Sequence, residues 1–147
     1  MKAGILSALF LFLQVFPAIA QFELLWGQNQ PGGLGNIHGV TVNPENGDIF
    51  ICDFTNVHHF DSEMERIGTI NFNLGAIRGL GFDTRENLLL IANYGAGRYA
   101  IADLEGEVFE NRDAGANLNT IGYDPDQDLY ILGDWNQRVI FRNRQHE

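Results

Sequence analysis

The 147-residue chain has a single cysteine, Cys52, so no disulfide can close within it. Within the run "IFIC" that residue reads as a small buried hydrophobe. Lysine is equally scarce: Lys2 is the only one, and past residue 20 eight arginines face nineteen acidic residues. A surface that acidic repels nucleic acid and anionic lipid, which need clustered positive charge. Ser62 is the only serine past residue 20, and no Asn-x-Ser/Thr site occurs, so N-glycosylation is not expected. The longest apolar run, Ile5 to Phe16, is about half of the roughly 20 residues that span a bilayer, which argues against a membrane anchor. There is no nucleophile elbow, phosphate-binding loop or His-Glu-x-x-His.

What is present begins with a leader. "MKAGILSALFLFLQVFPAIA" has a basic start, an apolar middle and Ala18-Ile19-Ala20, the composition of a secretory signal cleaved before Gln21. The expected organisation is a signal peptide over 1–20 and one repeat domain over 21–147, secreted to the extracellular side.

Three stretches align without a gap: "NIHGVTVNPENGDIFICDF" (36–54), "AIRGLGFDTRENLLLIANY" (76–94) and "NLNTIGYDPDQDLYILGDW" (117–135). Val40, Leu80 and Ile121 occupy one place, and Val42, Phe82 and Tyr123 the place two further on, which is the period of a strand. Asn43, Asp83 and Asp124 then open a polar turn. The second strands "IFI", "LLI" and "YIL" are apolar on both faces and so should be buried on both. Each copy closes on an acid or amide followed by an aromatic: Asp53-Phe54, Asn93-Tyr94 and Asp134-Trp135. "VHHFD" with "ERIGTI", and "RYAIAD" with "EVFEN", supply two further strands to the first two copies. "RVIFRN" supplies a third strand to the last. Four antiparallel strands at a period near 40 residues make a propeller blade, so the fold class is all-β: β-propeller blades of four antiparallel strands, three in this chain.

The pattern "GVTVNPxxGDIFICD" resembles the NHL-type repeat of six-bladed, TolB-like propellers. The resemblance implies half of a six-bladed ring. Three blades are too few to close, which leaves two readings. In one, a homodimer closes the ring, with "FELLWG" (22–27) of each subunit completing its partner's last blade. In the other, the sequence is part of a longer one.

Ligands of propellers sit at the central channel, where each innermost strand starts. The aligned residues there are His38, Arg78 and Asn119, all polar, and they are the candidate ligand-binding rim. Together they suit an anionic or hydroxylated ligand. The resemblance extends distantly to gluconolactonase-like propellers, which carry Asn or Asp metal ligands at this place, matched by Asn119. It extends equally to the peptide-amidating lyase propeller, where a His before Gly binds zinc, matched by His38-Gly39. Three protein ligands for a catalytic zinc are not supplied, so no metal, cofactor or catalytic residue is assigned, Ca or Zn entering only if the chain is a lactonase- or lyase-type enzyme. Asp53, Asn93 and Asp134 recur in every blade and are expected to tie strand ends together. The expected role is a binding or scaffold module for protein or glycan partners, with no nucleic acid and no membrane involved.

Overall fold

A computed structural model describes residues 34–147. The leader, the cleavage site and "FELLWG" lie outside the described residues. The rest is all strand and loop, in three antiparallel sheets stacked face to face. Blade 1 runs β1 (Gly39–Val42), β2 (Ile49–Cys52), β3 (Val57–Phe60) and β4 (Arg66–Ile70); blade 2 runs β5 (Ile77–Asp83), β6 (Leu88–Asn93), β7 (Arg98–Ala102) and β8 (Val108–Asp113). Blade 3 has β9 (Leu118–Asp124), β10 (Leu129–Asp134) and β11 (Val139–Arg142), with no fourth strand among the described residues. Among those residues no helix is long and apolar enough to cross a membrane.

The turns follow from the repeated polar residues. Asn43, Asp83 and Asp124 each accept a backbone N–H from two residues ahead, at 3.0, 3.0 and 2.9 Å. Gly47, Asn87 and Asp128 then take the left-handed conformation at aligned places, with φ of 81, 57 and 56°. Glycine, asparagine and aspartate tolerate that region better than other residues.

Two seams between blades make most of the core, and Leu34, Ile51 and Phe60 form a smaller cluster on blade 1. In the first, Phe50, Cys52 and Val57 of blade 1 meet Leu80, Phe82, Leu89 and Ile91 of blade 2. In the second, Leu90, Ala92, Tyr99 and Ile101 of blade 2 meet Leu118, Ile121, Tyr130 and Leu132 of blade 3. Cys52 is fully buried, as its sequence context suggests, and burial pushes its thiol up to about 11. The innermost strands approach so closely that a Cβ on Gly79 would stand 2.6 Å from the carbonyl oxygen of Asn119. A Cβ on Gly39 would stand 3.0 Å from that of Arg78.

Burial on both faces holds for "LLI" but not for "YIL", and in "IFI" Phe50 and Ile51 are buried while Ile49 is half-buried. Ile131 is only half-buried, because no sheet of the described residues covers its face of blade 3. On the opposite face of blade 1, Val40 is 60% and Val42 48% exposed, while Ile51 and Phe60 are buried together with Leu34.

A polar cluster not foreseen from the repeat locks blades 2 and 3 together at the turn end. Asp83, fully buried, takes the Arg144 guanidinium at 3.0 Å and the Tyr130 hydroxyl at 3.2 Å. Arg144 also reaches Asp128 at 2.7 Å and donates to the Tyr123 hydroxyl at 3.1 Å. Arg144 follows β11, outside the aligned stretches, so nothing in the repeat marks it.

Candidate functional site

The antiparallel order places the starts of β5 and β9, the ends of β6 and β10, and the loops that follow β6, β8 and β10 at one end of the stack. His38, Arg78 and Asn119 all lie at this end, but not all before their strands. Ile77 pairs with Asn93 and Gly79 with Ala92, so Arg78 is an unmatched residue within β5. Leu118 pairs with Asp134 and Thr120 with Gly133, so Asn119 is its counterpart within β9. Both are β-bulge residues, whose side chains are re-aimed out of the pleat. The strands start earlier than the alternation suggests because Ile77 and Leu118 are fully buried and anchor them. His38 does precede β1, with its N–H donated to the Cys52 carbonyl at 3.0 Å.

The bulges turn these residues toward a second set that closes each aligned copy. His38 packs against Phe54 with ring centroids 5.3 Å apart. The Arg78 guanidinium lies 4.0 Å from the Tyr94 ring centre and 5.7 Å from that of Trp135, and the two rings meet edge to face at 6.2 Å. Arg78 therefore bridges the aromatic of its own blade and that of the next, a cation held on two π faces. Backbone bonds fix the platform: Tyr94 N–H donates to Ala76 at 2.8 Å, and Trp135 N–H to Asn117 at 2.9 Å. Trp135 nevertheless stays 61% exposed. Two polar atoms of the rim are buried without a protein partner, Nε of Arg78 and Oδ1 of Asn119. Buried polar atoms are rarely left so. A groove of about 410 Å³ adjoins the platform, between loop residues 95–97, loop residues 115–117 and Asn136.

The alignment displays Phe54, Tyr94 and Trp135 as a recurring aromatic, and that recurrence was the signal for them. What it lacks is their placement against Arg78, which depends on a bulge that no periodicity encodes.

Asp53, Asn93 and Asp134 are the strand-end ties expected of them. Asp53 accepts the Asn56 N–H at 2.9 Å and the His58 ring at 2.7 Å; Arg66 donates to the other ring nitrogen at 2.7 Å. Because a guanidinium only donates, Nδ1 of His58 accepts and Nε2–H donates to Asp53. Asp134 accepts the Arg138 N–H at 2.8 Å and its Nε at 2.6 Å. In blade 2 the amide of Asn93 accepts the Ala96 N–H at 3.3 Å, while Arg98 turns away to Asn111 at 2.8 Å. The neighbours His58 and His59 point to opposite faces, the second to Asp48 at 2.8 Å, so they form no chelate.

In blade order the fixed positive charge of Arg78 stands between His38 and Asn119, and among the described residues no three His, Cys, Asp or Glu side chains gather.

No protein-family model matches the sequence, and no curated protein matches it. Solved structures do match. A chain of the nidogen/laminin complex superposes with a TM-score of 0.66 at 18% identity, over 76% of this chain and 46% of that one. The β-propeller domain of Cps50 (Swd1) from Myceliophteria thermophila gives 0.61 at 15%, over 76% and 37%. The WD40 β-propeller domain of Doa1 gives 0.62 at 11%, over 75% and 38%. The chain thus spans less than half the length of these structures. At such identities the likeness is one of fold, and with the three stacked sheets it makes the described residues part of a β-propeller.

Proposed function

We propose that this chain is a secreted β-propeller binding module of the NHL-like, six-bladed type, whose channel end takes an anionic or hydroxylated group of a glycan or protein partner. The carrying observation is the platform of Arg78 on Tyr94 and Trp135, with a donor of Arg78 and an acceptor of Asn119 unmet by the protein. A hydroxyl accepts and donates at once, so it complements that pair; a carboxylate complements the guanidinium fork. Exposed tryptophan adds apolar area at little cost in side-chain entropy. A metal-dependent lactonase- or lyase-type activity is the weaker reading, because the donor set is wrong for the cation it needs.

The test is an array of extracellular glycans and proteins probed with the secreted chain and with Arg78→Ala and Trp135→Ala. At least one partner should bind and lose about tenfold or more in affinity in both variants, with unfolding unchanged. A partner whose affinity is equal in all three proteins would place binding elsewhere on the blades.

A further inference from the structure

Blades 1 and 2 differ at the channel end in how their outer loops meet. In blade 1, one step beyond the Val57–Ile70 pair, Asn71 donates its side-chain amide to the Asn56 side-chain oxygen at 3.2 Å. In blade 2 the counterparts are Arg98 and Asp113, beside the Tyr99–Arg112 pair. Arg98 is bonded away to Asn111 at 2.8 Å, and the loop before it is Gly95-Ala96-Gly97, almost without side chains. Backbone bonds hold the two loops: Ala114 N–H donates to the Gly97 carbonyl at 3.0 Å, and Gly115 N–H to Oδ1 of Asp113 at 2.7 Å. Gly97 and Gly115 take positive φ, 63 and 64°, which other residues adopt only with strain. What these loops leave between them, with Asn117 and Asn136, is the groove of about 410 Å³. Small-molecule sites run from about 300 to 1,000 Å³.

The lining of that groove is glycine, alanine, asparagine and one aspartate. It offers no large apolar pocket of the kind that anchors a protein partner's side chain. Amides donate and accept at once, as hydroxyls do, and the Asp113 carboxylate accepts. The groove begins one residue past Tyr94 and one past Trp135, the two rings that carry Arg78. A sugar ring matches both parts, with a C–H face for an aromatic and hydroxyls on its edge. Charge is also polarised along the stack. The hairpin turns of the far end hold Asp61, Glu63, Glu65, Asp103, Glu105 and Glu107. At the channel end Arg78, Arg98, Arg112 and Arg138 stand with Asp53, Asp113 and Asp134, so the field directs an anion there.

We infer that platform and groove are two subsites for an acidic glycan in which a uronate alternates with a neutral sugar. The uronate carboxylate meets Arg78 with its ring on Trp135, and the neutral sugar lies in the groove with its hydroxyls on Asp113, Asn117 and Asn136. Asp113 repels a second carboxylate, which is what demands the alternation. The inference rests on the ligand reading of the platform and adds to it a second subsite and a charge pattern.

Titration calorimetry on the chain produced from the full sequence tests this. The probes are hyaluronan, chondroitin and heparosan tetrasaccharides, in which glucuronate alternates with an N-acetylated hexosamine, their carboxyl-reduced forms, and tetragalacturonate. At least one alternating tetrasaccharide should bind about tenfold or more tighter than its reduced form, and Arg78→Ala should abolish that difference. The same probe should bind tighter than tetragalacturonate, and Asp113→Asn, which keeps the oxygen that holds Gly115, should narrow that gap about tenfold. Ala96 is exposed, so Ala96→Leu should fill the groove and weaken the tetrasaccharide about tenfold with thermal unfolding unchanged. Failure of every alternating probe to bind would overturn the inference, as would binding indifferent to Asp113→Asn and Ala96→Leu. In that second case, loss of binding in Arg78→Ala and Trp135→Ala would leave the platform reading standing, whereas binding indifferent to these as well would overturn both.

Discussion

Blade 2 and its two neighbours have nearly the same strand pattern and very different interiors. Leu89, Leu90, Ile91 and Ala92 of β6 are all fully buried, whereas in β10 Tyr130 and Leu132 are buried and Ile131 is not. Leu80 is 6% exposed and its counterpart Val40 60%. The difference lies outside the strands: among the described residues blade 2 has a sheet on each face, and blades 1 and 3 have one sheet each. An apolar residue in this architecture stabilises through its neighbouring blade, at about 1.5–3 kcal/mol for a fully enclosed Leu or Ile. The stability of the arc should therefore be concentrated in its middle.

The widest gap between equivalent positions belongs to the turn acids. Asp83 is buried with Arg144 and Tyr130 upon it, whereas Asp124, one blade on, holds only its own turn through Asp126, Gln127 and the Gln127 amide. Asp83→Ala removes the buried partner of Arg144 and Tyr130, leaves Arg144 with the Asp128 carboxylate alone at close range, and should cost about 3 kcal/mol. Asp124→Ala should cost about 1 kcal/mol. Denaturant unfolding of both variants measures this, and equal midpoints would mean that the Arg144 cluster does not bind the seam.

Next comes the strand interior. Leu90→Ala opens a cavity between two sheets and should cost about 2–5 kcal/mol. Ile131→Ala, at the equivalent place on the open face, should cost about 1 kcal/mol, because water already reaches it. Denaturant midpoints of the two variants measure it, and equal losses would mean that Ile131 is as enclosed as Leu90.

Glycine gives a sharper version of the same comparison. Gly81 and Gly122 are aligned, yet a Cβ at Gly81 would stand 2.7 Å from the Ile121 carbonyl and one at Gly122 would meet nothing within 4 Å. Gly81→Ala should cost about 1–3 kcal/mol through overpacking. Gly122→Ala should leave the isolated chain unchanged or more stable by up to about 1 kcal/mol. Melting temperatures of the two variants at low concentration decide it.

These contrasts also show where sequence reading stops. The strand order, the turn residues and the buried second strands are legible because hydrophobic alternation and turn chemistry are local properties of the chain. So is the end of the stack that carries His38, Arg78 and Asn119. The bulges at Arg78 and Asn119 are not, since a one-residue slip leaves the alternation on either side intact. Nor is the Arg144 cluster, whose members come from two blades and a terminal turn. The half-exposure of Ile131 is invisible for a related reason: "YIL" and "LLI" look alike, and only the neighbour differs.

The smallest expected effect separates the blades by charge at their strand ends. Burial opposes ionisation of Asp53, but the His58 ring N–H and the backbone N–H groups of Asn56, Gly35 and Thr55 outweigh it and hold the carboxyl below the usual carboxylate range. At Asp134 burial is likewise outweighed, by the Arg138 backbone N–H and guanidinium, and the shift has the same direction. A carboxyl whose value is lowered on folding contributes stability that is complete above its unfolded value of about 3.9 and is lost as pH falls below that toward the folded value. Blade 2 has the amide of Asn93 at this place, which does not titrate. Acidification from about pH 5 to below pH 3 should therefore loosen the ends of β2 and β10 before the end of β6. Hydrogen exchange should show protection falling first around residues 53–57 and 134–138 while residues 93–98 hold. Asp53→Asn and Asp134→Asn should flatten that acid response in their own blades, and a uniform loss of protection across all three would refute the assignment.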